Sequence, residues 1–70
     1  MKRFLVIFEK AANNYSAYSP DLPGCVATGK TRRQAAANMR RAIQLHLEGL
    51  SAERLPLPRN RVSAEFIEVP

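Results

Sequence analysis

Seventy residues carrying eleven Lys or Arg against six Asp or Glu, a formal net charge of +5, suit one small domain (residues 1–70) and favour an acidic partner, nucleic acid before an anionic membrane surface. Cys25 is the sole cysteine and His46 the sole histidine, which excludes an intramolecular disulfide and a Cys/His zinc site and leaves the fold to packing. The basic start Met1-Lys2-Arg3 precedes only the short apolar run 4–8, too little for a signal-peptide core or a membrane span, so a cytoplasmic protein without membrane contact is expected.

Phe4-Leu5-Val6-Ile7-Phe8 is apolar on both sides of a period-two pattern and rich in β-favouring residues, which predicts a strand with both faces covered. Residues 11–14 supply turn chemistry, Asn13 and Asn14 tolerating left-handed backbone angles, and Tyr15-Ser16-Ala17-Tyr18 returns as the antiparallel partner. Pro20-Asp21-Leu22-Pro23-Gly24 breaks the chain again. Pro23 fixes φ and Gly24 suits the positive φ of a type II turn, and a third strand follows over 25–28.

Thr31 stands three residues before Gln34, the spacing of a capping box, and predicts the start of a helix. At about 100° per residue, Ala35, Met39, Ala42, Ile43, His46 and Leu50 share one face, and Arg33, Ala37, Arg40, Arg41, Gln44 and Glu48 the other. Gly49 is placed to end the helix near Glu48, with Leu50 folding back on Leu45. Leu55-Pro56-Leu57-Pro58 then reads as an extended connector to a last strand over 62–69. The expected class is therefore α+β, in the order β-β-β-α-β: a small, mainly antiparallel sheet with one helix packed on one face.

That arrangement leaves a face uncovered. If Phe4, Val6 and Phe8 meet the helix, Leu5, Ile7 and Ile67 point away from it, and each such side chain gains roughly 1.5–3 kcal/mol on burial. A homodimer or homotetramer closing over Leu5, Ile7 and Ile67 is expected.

Catalysis is not. His46 falls within the apolar helix face, where a hydrogen-bonded core or interface histidine is a better reading than a general base. Cys25 would need a base beside it, and a small buried thiol is the simpler reading. The carboxylates Glu9, Asp21, Glu48, Glu53, Glu65 and Glu68 are scattered, with no spacing for a metal clamp or an acid–base pair, so neither metal nor cofactor is expected. Arg33, Arg40 and Arg41, with Lys30, Arg32, Arg54, Arg59 and Arg61 around them, read first as a solvated face. The sharper alternative is a small basic nucleic-acid-binding protein that uses Arg33, Arg40 and Arg41 on the helix, although no glycine-rich phosphate loop, helix-turn-helix spacing or aromatic RNA-binding signature adds specificity.

The series Tyr15-Ser16-Ala17-Tyr18-Ser19-Pro20-Asp21-Leu22-Pro23-Gly24-Cys25, then Thr28-Gly29-Lys30-Thr31, then Ala35, Asn38 and Ala42 and the ending Leu47-Glu48-Gly49-Leu50, strongly resembles the HicB-like family of small antitoxins over nearly the whole chain. The resemblance implies a partial ribonuclease H-like fold without catalytic carboxylates, assembled as dimers or tetramers. It further implies neutralisation of a small HicA-type toxin, a basic ribonuclease that cleaves messenger RNA, by covering its active surface. Similar proteins commonly have a glutamate-rich helix. The basic helix of this chain would repel a basic toxin, so either partner contact is made through Ser19, Pro20, Asp21, Leu22 and Pro23, or the chain is a solitary, antitoxin-derived protein-binding module with another role. Many members also carry a carboxyl-terminal DNA-binding domain; none is legible in these seventy residues, and operon repression by this polypeptide alone is not expected.

Overall fold

The computed structural model describes residues 2–70; Met1, the first residue of the basic start, lies outside them. Strands β1 (Ile7–Lys10), β2 (Tyr15–Tyr18) and β3 (Val26–Gly29) precede a long helix, α1 (Arg32–Ala52). The strands form one antiparallel sheet in the order β1-β2-β3, and α1 lies across β3 and β2. The α+β class, the antiparallel sheet and the single helix are as the sequence predicts.

Register assigns the two faces. Phe8 pairs with Ala17 and Ala17 with Ala27, and this row meets the helix. Ile7 pairs with Tyr18 and Tyr18 with Val26, which places that row on the opposite face by the period of two. Pairing begins only at Ile7 instead of Phe4. The reason is Pro20, which has no N–H to give a longer ladder; the buried Ser19 hydroxyl donates instead to the Leu5 carbonyl at 2.8 Å. The hairpin turn closes with the Ala11 N–H donating to the Asn14 carbonyl at 2.8 Å, and neither Asn13 nor Asn14 adopts the left-handed conformation their side chains would permit.

Two turns link β2 to β3. Leu22 N–H donates to the Ser19 carbonyl at 3.1 Å across Pro20, and Cys25 N–H donates to the Leu22 carbonyl at 3.0 Å across Pro23 and Gly24. Gly24 has φ 81°, as the type II turn requires. The double turn tucks Leu22 and Cys25 into the core beside Ala17, Ala35 and Met39.

Thr31 caps α1 from an extended conformation (φ −125°, ψ 162°), its hydroxyl accepting from the Gln34 N–H at 3.0 Å. Gln34 reaches back one residue further than a capping box does, its Oε1 accepting from the Lys30 N–H at 2.9 Å. The helix does not stop near Glu48. It runs on through Gly49 to Ala52, and the Schellman ending forms around Arg54: Leu55 N–H donates to Leu50 O at 2.9 Å, Arg54 N–H donates to Ser51 O at 3.0 Å, and Arg54 takes the left-handed φ of 59°. Ser51 and Ala52 tolerate one more turn, while Pro56 sits where the helix could go no further.

The expected last strand over 62–69 is absent, and those residues are exposed throughout without regular structure. A strand needs a neighbour to satisfy its backbone, and among the described residues none pairs with 62–69.

Candidate functional site

Of the residues expected to meet a partner through the β2–β3 loop, Ser19 and Leu22 face inward. Ser19 is held by the Leu5 carbonyl, and Leu22 is among the most deeply buried side chains of the chain. Pro23 is exposed at the tip, with the half-buried Pro20 and Asp21 at its flanks. Asp21 has a structural task of its own: Oδ2 accepts from the N–H groups of Arg61 at 3.1 Å and Val62 at 3.2 Å. The loop is therefore a rigid knob with a small proline surface, and it carries the root of the segment that follows the helix.

The sheet face away from α1 is open and apolar only in part, since register places Glu9, Ser16 and Thr28 on it as well. Leu5 and Ile7 are half-buried on it, and register adds Tyr18 and Val26, the latter 65% exposed. Sequence reasoning missed Tyr18 and Val26, whose alternation becomes informative only once the hairpin register is known. Ile67 does not join this face, being 73% exposed on a segment outside the sheet.

Arg33, Arg40 and Arg41 are all exposed on α1. Arg32, beside them, is already engaged, its guanidinium lying 4.3 Å from the centre of the Phe8 ring. Arg40 borders a groove of about 450 Å³ between the amino-terminal strand and the helix, floored by Phe4, Val6, Phe8, Met39 and Ile43. His46 is half-buried on the inner side of the helix, as its position in the helical period indicates. Cys25 is buried, and desolvation pushes its thiol above the ordinary value, which disfavours the thiolate a nucleophile would need. Among the described residues no three His, Cys, Asp or Glu side chains gather as metal ligands, and no helix is long and apolar enough to cross a membrane.

The geometry thus presents surfaces for contact: a proline knob, a partly apolar sheet face and an arginine-bearing helix. A family model described as the HicB-like antitoxin of bacterial toxin–antitoxin systems matches residues 4–69. A UPF0150 protein of Thermoplasma acidophilum is 35% identical over 69 residues, covering 99% of this chain and 97% of that protein. A UPF0150 protein of Helicobacter pylori is 43% identical over 49 residues, 70% of this chain and 68% of that one. An uncharacterised protein of Haemophilus phage HP1 is 32% identical over 65 residues; the chain spans 93% of its own length there but about half (49%) of the phage protein. Among solved structures, a chain of the HicA3 and HicB3 toxin–antitoxin complex superposes with a TM-score of 0.69 at 28% identity, covering 84% of this chain and 70% of that one.

Proposed function

Because this chain belongs to the HicB-like antitoxin family of bacterial toxin–antitoxin systems, we propose that it is a non-enzymatic antitoxin whose role is to bind a small HicA-like ribonuclease toxin and cover its active surface. The observation that carries this reading is the likeness of fold and sequence to a chain of a solved toxin–antitoxin complex. The architecture is consistent with it. Chemistry by this chain would need an activated nucleophile or an acid–base pair, whereas Cys25 is a desolvated thiol and His46 sits half-buried on an amphipathic helix.

The toxin would be met by Pro20, Asp21 and Pro23. This knob is rigid, so its docking orders little chain and little conformational entropy opposes the contact. Ser19 and Leu22 serve from behind by fixing the loop's shape. Keeping contact to the knob also holds a basic toxin away from the arginines of α1, where like charges would oppose association.

The test is co-expression with a small basic HicA-like toxin, taken from beside this gene if a short reading frame there encodes one. The expected outcome is relief of growth arrest together with co-purification as a stable complex, and weaker co-purification when Pro23→Arg is introduced. Growth arrest that persists with no complex formed would overturn the proposal.

A further inference from the structure

The 62–69 segment is built like a strand and used as none. Val62, Phe66, Ile67 and Val69 are exposed, Phe66 completely, although burial of such side chains is worth roughly 1.5–3 kcal/mol each. The segment also leaves the body of the molecule. The radius of gyration is 13.6 Å with extents of 47 × 29 × 20 Å, whereas a compact chain of this length is expected near about 11 Å. Its departure point is fixed, because Asp21 holds the N–H groups of Arg61 and Val62 and the Asn60 side chain donates to the Arg3 carbonyl.

The sheet has two edges and they are not equivalent. At the β3 edge, the Asn38 side chain donates to the Thr28 carbonyl at 2.8 Å, and Gly29 lies hard against the backbone of Gln34 and Ala35 at the start of α1. The β1 edge has only the Asn60 side chain on the Arg3 carbonyl, ahead of the strand, and among the described residues no side chain hydrogen-bonds to the backbone of Ile7–Lys10. Its amino-terminal extension, residues 4–6, runs without strand pairing, and the groove floored by Phe4, Val6, Phe8 and Met39 opens beside it. The chain's own residues 58–64 touch residues 2–6 through the Asn60–Arg3 hydrogen bond, and the rest of the two stretches line an open cleft of about 790 Å³.

We propose that the 62–69 segment is an exchanged strand, which adds to the β1 edge of a second copy of this chain and receives that copy's segment in return. Two features select a second copy as the occupant. Charge is complementary, since the segment carries Glu65 and Glu68 and no basic residue, while the receiving stretch carries Lys2, Arg3 and Lys10 against Glu9. Length and alternation match as well. Eight residues at about 3.3 Å each span about 26 Å, the reach of residues 2–10, and the period of two sends Phe66 toward the apolar groove while Ile67 and Val69 join Leu5 and Ile7 on the open face. Reciprocal addition closes both exposed edges at once, as strand exchange between identical protomers does.

The experiment has two arms. Light scattering on the full chain at micromolar concentration is expected to give a dimer or a multiple of one, and Phe66→Asp to raise its dissociation constant more than tenfold, with the helical circular dichroism retained. In the second arm, a chain with Cys25→Ala and a nitroxide attached at Val69→Cys is mixed with isotope-labelled, unmodified chain. Broadening of residues 4–8 in the isotope-labelled copy is expected, and only intermolecular contact can produce it. A monomer overturns the proposal, as does an oligomer whose broadening falls on 26–29 or nowhere. Loss of toxin binding with the exchange intact would overturn only the antitoxin reading.

Discussion

Arg54 occupies a backbone conformation that most residues avoid. Its φ of 59° closes the helix, and a side chain with a Cβ costs on the order of 1 kcal/mol there relative to glycine. Arg54→Gly is therefore expected to stabilise the protein by about 1 kcal/mol in urea unfolding, with no change in the slope. Destabilisation would mean that the arginine side chain makes a compensating contact. Cys25 behaves oppositely to a reactive thiol: its raised pKa stabilises the fold below the unfolded value near 9.0, and that contribution is lost as pH rises through the folded value. At neutral pH the residue acts as a small apolar side chain beside Leu22 and Met39.

Among the elements, the contact of β3 with α1 decides how the layers close. Gly29 is the residue that permits it, since a Cβ there would come within 2.8 Å of the Gln34 carbonyl carbon and closer still to the Ala35 nitrogen. Backbone on that side cannot yield cheaply. Gly29→Ala is expected to destabilise by roughly 2–3 kcal/mol in thermal or urea unfolding, whereas the same change at the open Gly49 should be neutral or stabilising. The β2 strand, the type II turn at Pro23-Gly24 and the cap at Thr31 were legible because each rests on local chemistry: alternation, a fixed φ, a hydroxyl at the right spacing. The helix end was not. Glycine at position 49 carries a local stop signal, but Leu50 and Leu55 supply a better closing pair a turn later, and that choice depends on residues several positions apart. For the same reason the 62–69 segment has the composition of a strand, although sequence alone does not specify whose sheet it would join. The candidate surfaces divided likewise. Exposure of Arg33, Arg40 and Arg41 followed from helical period, but the inward turn of Ser19 rests on a hydrogen bond to the distant Leu5, and that of Leu22 on packing into a core shared with Ala35 and Met39 of the helix.

For the whole molecule, net charge and exposed apolar area point to different partners, and magnitudes separate them. Three arginines on one helix would neutralise few phosphates, and a duplex contact through all of them would give a slope of about −2.7 in log affinity against log salt, at about −0.9 per phosphate. The antitoxin reading predicts no measurable duplex RNA binding by the isolated chain in filter assays at near-physiological salt. Binding with that slope, abolished by joint replacement of Arg33, Arg40 and Arg41 with alanine, would transfer the function to the helix. Against this modest electrostatic term stands exposed apolar area in two separate places, the Ile7–Tyr18–Val26 row of the sheet and Phe66, Ile67 and Val69 on the segment beyond the helix. Its burial outweighs anything the arginines offer.

One carboxylate gives that surface a further property. A single oxygen of Asp21 grips the chain where the 62–69 segment emerges, and the same residue belongs to the proline knob. Under the exchange proposed above the two would be coupled: a ligand that moved the knob would also bear on the segment's point of exit, and exchange would in turn bear on the knob. By reciprocity of linked equilibria, whatever one association does to the affinity of the other, the second does to the first by the same factor.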